Sequence, residues 1–270
     1  MRGDFHSHSN YSDGYYPVDE VVKRAKEHGL DVLGLTDHDS VFGVEEAFEY
    51  GKKIGLLVIK GLELSTTIGH DNCHLIGYFK HNIVPQAIFD FSRNIIESRR
   101  ARATKMMENI RDTFNVKIDL DDLFKGTIIT RGNMMTNLLK NNPDKDKKEL
   151  SFMVSNESPC YIPASKMSAA DGVKLLKENG ATIILAHPTL MDYQNVCEVV
   201  KMGIDGLECI YPKNKEGEEV KFRNLAKENN LFVSAGSDFH GDYLKHAEIG
   251  TCYLEGKELE TLLNVLEIEV

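Results

Sequence analysis

The chain opens with Asp4-Phe5-His6-Ser7-His8. Alternate side chains of an extended segment share a face, so His6 and His8 offer two imidazoles to one side, a pincer for a metal ion. A lone His-x-His also suits a surface strand with two titrating histidines. The rest of the chain shifts that balance. Asp13, His38, Glu63, His74, His187, Asp238 and His240 gather at or near predicted strand ends, and Asp238-x-His240 repeats the opening spacing. The nine residues include six of the ten histidines. Imidazole and carboxylate without thiolate is the donor set of a catalytic zinc, manganese or iron centre, not of a cysteine-rich structural zinc site.

The elements that must position these residues alternate. Arg2 to His6 reads as a strand, followed by a turn at Asp13-Gly14. Pro17 suits a first helical turn, and Val18, Val21, Val22 and Ala25 repeat at helical spacing. Val32 to Thr36 is a second strand, ending in Asp37-His38-Asp39. Val44, Ala47 and Phe48 mark a helix closed by Gly55. Leu56 to Leu62 is a third strand ending in Glu63, and Cys73 to Phe79, carrying His74, a fourth. Strands alternating with helices imply a parallel sheet or barrel, with catalytic groups at the C-terminal strand ends.

The middle differs. Phe91 to Phe114 reads as one long helix, with Arg99 and Arg102 inside its apolar stripe. These arginines either snorkel at the edge of a packed helix or bind substrate anions. Asp119 to Leu123 and Thr130-Arg131-Gly132 to Leu139 read as further helices, and Asn141 to Lys148 as a loop. Residues 91–163 thus read as a helical insertion forming a substrate-binding cap, between barrel segments 1–90 and 164–270. The rhythm then resumes. Helices are expected at Ala169–Asn179, Val196–Met202, Glu216–Asn229 and Glu258–Leu266. Strands are expected at Thr182–Ala186, Gly206–Ile210 and Leu231–Ala235.

With 270 residues, 41% hydrophobic and 27% charged, the composition is that of a globular protein. No apolar run reaches the roughly 20 residues of a membrane helix, and no signal peptide is expected. Five cysteines without a Cys-x-x-Cys pair suit reduced thiols in a cytoplasm. A net charge of −10 disfavours a broad grip on nucleic acid, so no stable nucleic-acid complex is expected. A small anionic substrate stays open.

The motifs Asp4-Phe5-His6-Ser7-His8, Ser12-Asp13-Gly14, Gly34 to Asp39, Gly61-Leu62-Glu63, His74 to Tyr78, Ala186-His187-Pro188 and Gly236 to His240 resemble, in order, those of the PHP (polymerase and histidinol phosphatase) family. That resemblance implies a distorted (β/α)7 barrel with two or three divalent metals (Mn, Fe or Zn). It implies three sites: His6, His8, Glu63 and Asp238; Glu63, His74 and His187; Asp13, His38 and His240. Three dications against three ligand carboxylates leave about +3 locally, enough to hold a phosphate dianion. The expected chemistry is attack of a metal-bridging hydroxide on phosphorus, with Asp13, His38, Glu63 and His240 acting through it.

Within the family the match is to stand-alone phosphoesterases with a helical insertion, some acting on nucleoside 3′,5′-bisphosphates or short RNA. The implied substrate is a small phosphorylated molecule, a nucleoside monophosphate or 3′,5′-bisphosphate, or a short oligoribonucleotide, held by Arg99, Arg102 and Arg131. Asn133 departs from the histidine often found in that branch. Alternatives are a histidinol-phosphate or cyclic-phosphate hydrolase and a non-catalytic metal-binding module. Asp37 reads either as a residue orienting a ligand histidine or as a cap, and Glu208 as either a support for the site or structural. His28, His70, His81 and His246 read as solvated.

Overall fold

Val18, Val21, Val22 and Ala25 do lie on one helical face, and α1 (Val18–Glu27) buries all four. This computed structural model describes residues 1–123, 129, 131–163, 166–241 and 247–268; Thr130 and His246 lie outside them. Two compact units result: Met1–Ser92 with Lys166–Val270, and Arg93–Ser165.

The first unit is built on one sheet. Its strands are β1 (Arg2–Asp4), β2 (Val32–Leu35), β3 (Leu57–Ile68), β4 (Asp71–Phe79), β5 (Met167–Ser168), β6 (Ala181–Leu185), β7 (Gly206–Ile210), β8 (Phe232–Ala235) and β9 (Leu254–Glu255). The order is β8-β7-β6-β4-β3-β2-β1-β9, with β5 beside β3. Beyond β1 the chain stays extended and meets the end of β8. The Phe5 N–H donates to Ala235 O, the His8 N–H donates to Phe239 O, and Ser7 pairs with Phe239. The sheet therefore nearly closes into a distorted barrel.

Two expectations about the sheet need correction. The sheet is not wholly parallel, because β4 runs antiparallel to both β3 and β6. Nor does β3 stop before Glu63. Thr66, Thr67 and Ile68 are β-branched and prolong it to a tight turn where Gly69 takes φ 57°. Glu63 and His74 consequently sit inside strands rather than at their ends.

Period-two alternation divides the core. Phe5, Val32, Ile59, Ile76, Tyr78, Ile184 and Ala235 form one cluster with Leu259, Leu262 and Leu263 of α10 (Gly256–Val265). Their neighbours Leu33, Leu35, Val58, Leu75, Ile183 and Leu207 pack with the surrounding helices, including α2 (Val44–Ile54), α7 (Ala169–Glu178), α8 (Tyr193–Lys201) and α9 (Glu218–Glu228).

The second unit takes most of α3 (Gln86–Phe114), with α4 (Leu120–Leu123), α5 (Arg131–Asn141) and α6 (Lys147–Met153). Ala103, Met106, Ile110, Met134, Leu138, Leu150 and Met153 form its own core. Helix α6 begins within the stretch read as a loop. Asp146 caps it, its carboxylate accepting from the N–H groups of Lys148 and Glu149. Among the described residues, no helix is long and apolar enough to cross a membrane.

Candidate metal centre

The site is built around Glu63, which is fully buried. Its Oε2 lies 3.0 Å from His38 Nδ1, 3.3 Å from His8 Nε2 and 3.4 Å from His6 Nε2. Its Oε1 accepts at 2.9 Å from both His74 Nδ1 and His187 Nε2. Asp238 Oδ1 faces the same pair from the other side, 3.5 Å from His6 Nε2 and 3.2 Å from His8 Nε2. Asp13 Oδ1 lies 3.2 Å from His240 Nε2, and its Oδ2 3.9 Å from His38 Nε2.

Local structure aims these groups. The Ser7 hydroxyl donates to Gly34 O, and the Thr36 N–H donates to Ser7 O. That fastens Ser7 outward and turns His6 and His8 inward together. The loop carrying Asp13 is pinned by Asp37, whose carboxylate accepts from the Ser9 N–H and from the hydroxyls of Ser9 and Ser12. Asp37 thus supports Asp13, where either a histidine-orienting role or a cap was expected. His187 (φ 29°) and Asp238 (φ 51°) hold left-handed backbone, which costs a non-glycine residue of order 1 kcal/mol.

All nine residues named from the sequence lie in the barrel unit; eight of them fall in donor groups, and His187 stands beside these, against Glu63 Oε1. Three groups of donor atoms could each hold an ion: His6, His8, Glu63 and Asp238; His8, Asp13, His38 and His240; His38, Glu63 and His74. Whether these side chains fit metal is tested by their unmet valence. His6 Nε2, both nitrogens of His8, His38 Nδ1, His187 Nδ1 and Glu63 Oε2 are buried without a hydrogen bond. Buried polar atoms are rarely left so, since each costs about 1–3 kcal/mol. Clustered lone pairs of this kind fit divalent cations.

The electrostatics agree. Burial alone would raise the Glu63 carboxyl; His38, His74 and His6 outweigh it and hold it well below the usual range. Asp238 is likewise held low, by His6 and His8 against its burial. Burial opposes charge on His38, yet Glu63 and Asp13 lift it to about 10. Burial and the neighbouring His240 push His8 down to about 3, the neutral form a metal ligand needs. The cluster is sealed on one side and open on the other. The His6 and His8 side chains are 0% exposed, whereas Asp13 is 35%, His74 23% and His38 17% exposed.

Two supporting residues come from β7 and its C-terminal end. Glu208 is fully buried and contacts both His6 and His187. The Tyr211 hydroxyl donates to Asp238 Oδ2 at 2.9 Å. Sequence reading missed Tyr211; a tyrosine just past a strand that carries Glu208 was the available signal. Burial pushes the thiols of Cys73 up to about 11 and of Cys209 and Cys252 up to about 12, so none of these is a ready thiolate nucleophile. His28, His70 and His81 are exposed.

The arginines belong to the second unit. Arg102 Nε donates to Ile162 O at 2.6 Å, its guanidinium 5.7 Å from the Tyr161 ring. Arg131 is exposed and donates to Asn156 Oδ1 at 2.6 Å. Arg99 is half-buried on α3.

Similarity to known proteins extends over most of the chain. A phosphoribosyl 1,2-cyclic phosphate 1,2-diphosphodiesterase of Eggerthella lenta is 25% identical over 93% of this chain and 98% of its own length. A 3′,5′-nucleoside bisphosphate phosphatase of Chromobacterium violaceum is 26% identical over 88% of this chain and 86% of its own. A solved structure from Bifidobacterium adolescentis, assigned to the metal-dependent phosphoesterases, shares the fold with a TM-score of 0.79 at 23% identity, covering 97% of this chain and 96% of that one. The PHP domain model matches residues 4–246, and the chain belongs to that family.

Proposed function

We propose that this chain is a metal-dependent phosphoester hydrolase acting on a small nucleotide, a nucleoside monophosphate or 3′,5′-bisphosphate. The observation that carries the proposal is the set of buried, unbonded ligand atoms converging on Glu63. Two to three divalent ions, Mn, Fe or Zn, would be held by His6, His8, Asp13, His38, Glu63, His74, His187, Asp238 and His240. When bound, such ions supply positive charge for the phosphoryl oxygens and acidify a water nucleophile. Asp13, His38, Glu63 and His240 stand nearest the reaction in this reading. Their part is to fix the cations where charge develops in the transition state. The open side, lined by His38, His74 and Asp13, is where a phosphate reaches the cluster; the sealed side keeps His6 and His8 dry.

Arg99, Arg102 and Arg131 are proposed to bind the anionic substrate. Arg102 and Arg131 are held by uncharged oxygens, which orient a guanidinium without neutralising it. The helical unit is the proposed substrate-binding cap. A second reading, a cyclic-phosphate hydrolase, is favoured by the similarity to the Eggerthella lenta enzyme along nearly its full length.

The test is a phosphate-release screen after metal analysis. It covers nucleoside monophosphates, 3′,5′-bisphosphates, a sugar cyclic phosphate, histidinol phosphate and short RNA. Preference for 3′,5′-bisphosphates is expected. Preference for the cyclic phosphate moves the assignment to the second reading. Metal-loaded protein inert on every ester overturns both.

A further inference from the structure

Strand β7 offers no residue to the three ligand groups, yet it and the residue just beyond it touch three of the nine. Glu208 Oε1 accepts from His6 Nδ1 at 2.9 Å, and Oε2 accepts from the His187 main-chain N–H at 2.6 Å. Past the strand's end, Tyr211 donates to Asp238 Oδ2. The Glu208 carboxylate is fully buried, and both its oxygens are engaged. Gly236 is packed against this pair: a Cβ there would overlap His6 Cβ and stand 2.7 Å from Glu208 Oε1.

We infer that Glu208, seconded by Tyr211, is the positioning residue of the metal centre, setting the tautomer of His6 and the placement of His187. The inference rests on the metal-hydrolase reading above. A carboxylate accepting from Nδ1–H leaves the lone pair of His6 on Nε2, the atom that faces Glu63 and Asp238. The same carboxylate ties the left-handed backbone of His187 to the opposite side of the cluster. Glu208 thereby couples two ligands that approach Glu63 through different oxygens.

The carboxylate is required because two N–H donors need two acceptors. An amide has only one acceptor oxygen. In Glu208→Gln, the NH2 group must face either the His187 N–H, a donor against a donor, or His6 Nδ1. The second choice moves the His6 proton to Nε2 and removes the ligand lone pair.

The experiment uses the full chain stripped with chelator and titrated with Mn2+, with free Mn2+ read by electron paramagnetic resonance. The His6 tautomer is read by 15N NMR of histidine-labelled protein loaded with Zn2+. Glu208→Gln should keep its far-ultraviolet circular dichroism and bind Mn2+ about 10–100-fold more weakly. Its His6 should carry the proton on Nε2 in part of the population. Glu208→Asp, which restores two acceptors, should recover part of the loss. A Glu208→Gln variant with wild-type Mn2+ affinity and His6 still protonated on Nδ1 overturns the inference. Should that variant fail to fold, Tyr211→Phe decides: a several-fold loss of Mn2+ affinity supports the inference and unchanged affinity overturns it. Wild-type protein that takes up neither Mn2+ nor Fe2+ nor Zn2+ instead sinks the metal-hydrolase reading itself.

Discussion

In the barrel unit, ring nitrogens and a carboxylate oxygen lie buried without hydrogen bonds; in the helical unit, Arg102 and Arg131 are each engaged, but by uncharged partners. The charge balance differs in the same sense. Of the chain's 32 basic and 42 acidic residues, 13 and 10 fall in residues 93–165, giving +3 there and −13 in the rest. One unit concentrates buried ring nitrogens and carboxylate oxygens. The other carries the excess of fixed positive charge. On the proposed reading, metal held in the barrel unit lets an acidic protein take up an anion by supplying positive charge locally. On the same reading the roles divide: changes in the barrel should act on turnover, changes in the helical unit on substrate affinity.

The largest effect is expected at Glu63. Glu63→Gln should lower kcat for phosphate release by roughly 10^3-fold or more, with metal content falling in parallel. Steady-state kinetics and elemental analysis check this, and a near-normal kcat at normal metal loading would break the contrast at its root. Chelation comes next. An ion present at about 100 times its Kd stabilises the folded state by about 2.7 kcal/mol. Stripping it should then lower Tm by about 5–10 °C, reversibly on adding Mn2+. An unchanged melting curve would mean that the buried lone pairs bind nothing.

Smaller effects belong to the helical unit. Arg102→Ala should raise KM for a 3′,5′-bisphosphate by about tenfold, the worth of one charge-assisted contact, and exposed Arg131→Ala by less. Both should leave kcat within about twofold for a substrate with one phosphate. A fall in kcat matching that of Glu63→Gln would erase the division. The smallest signal is in protons. Carboxylates hold His38 near 10 and lift His6 despite burial, so metal uptake must release protons. Apparent Mn2+ affinity should therefore rise between pH 6 and 8, and calorimetry in buffers of different protonation enthalpy should detect the released protons.

Local pattern made much of the barrel readable. Valine spacing fixed α1, and apolar runs before His38 and His187 marked β2 and β6. Elsewhere two principles competed. A carboxylate after Leu62 looks like the end of a buried strand, but the β-branched residues beyond it carry β3 onward. Pro143, Asp144 and Asp146 look like a loop, yet Asp146 is a helix cap. For the site, residue types were legible and distances were not. His6 meets Glu208 across 202 positions, and no periodicity in the chain encodes that contact. Tyr211 was passed over because a ring after an apolar strand reads as packing, and its partner lies 27 residues away.

The seam where residues 5–8 meet residues 235–239 has a consequence for biosynthesis. His6 and His8 are made before Asp238 and His240, which follow about 230 residues later. At some 5–20 residues per second, that is tens of seconds or less during which the nascent chain carries isolated histidines and an open sheet. A divalent ion meeting it before Asp238 is made finds at most His6, His8 and Glu63 of the four-donor group. The four-donor group of His6, His8, Glu63 and Asp238 is complete only once the segment after β8 has docked on residues 5–8.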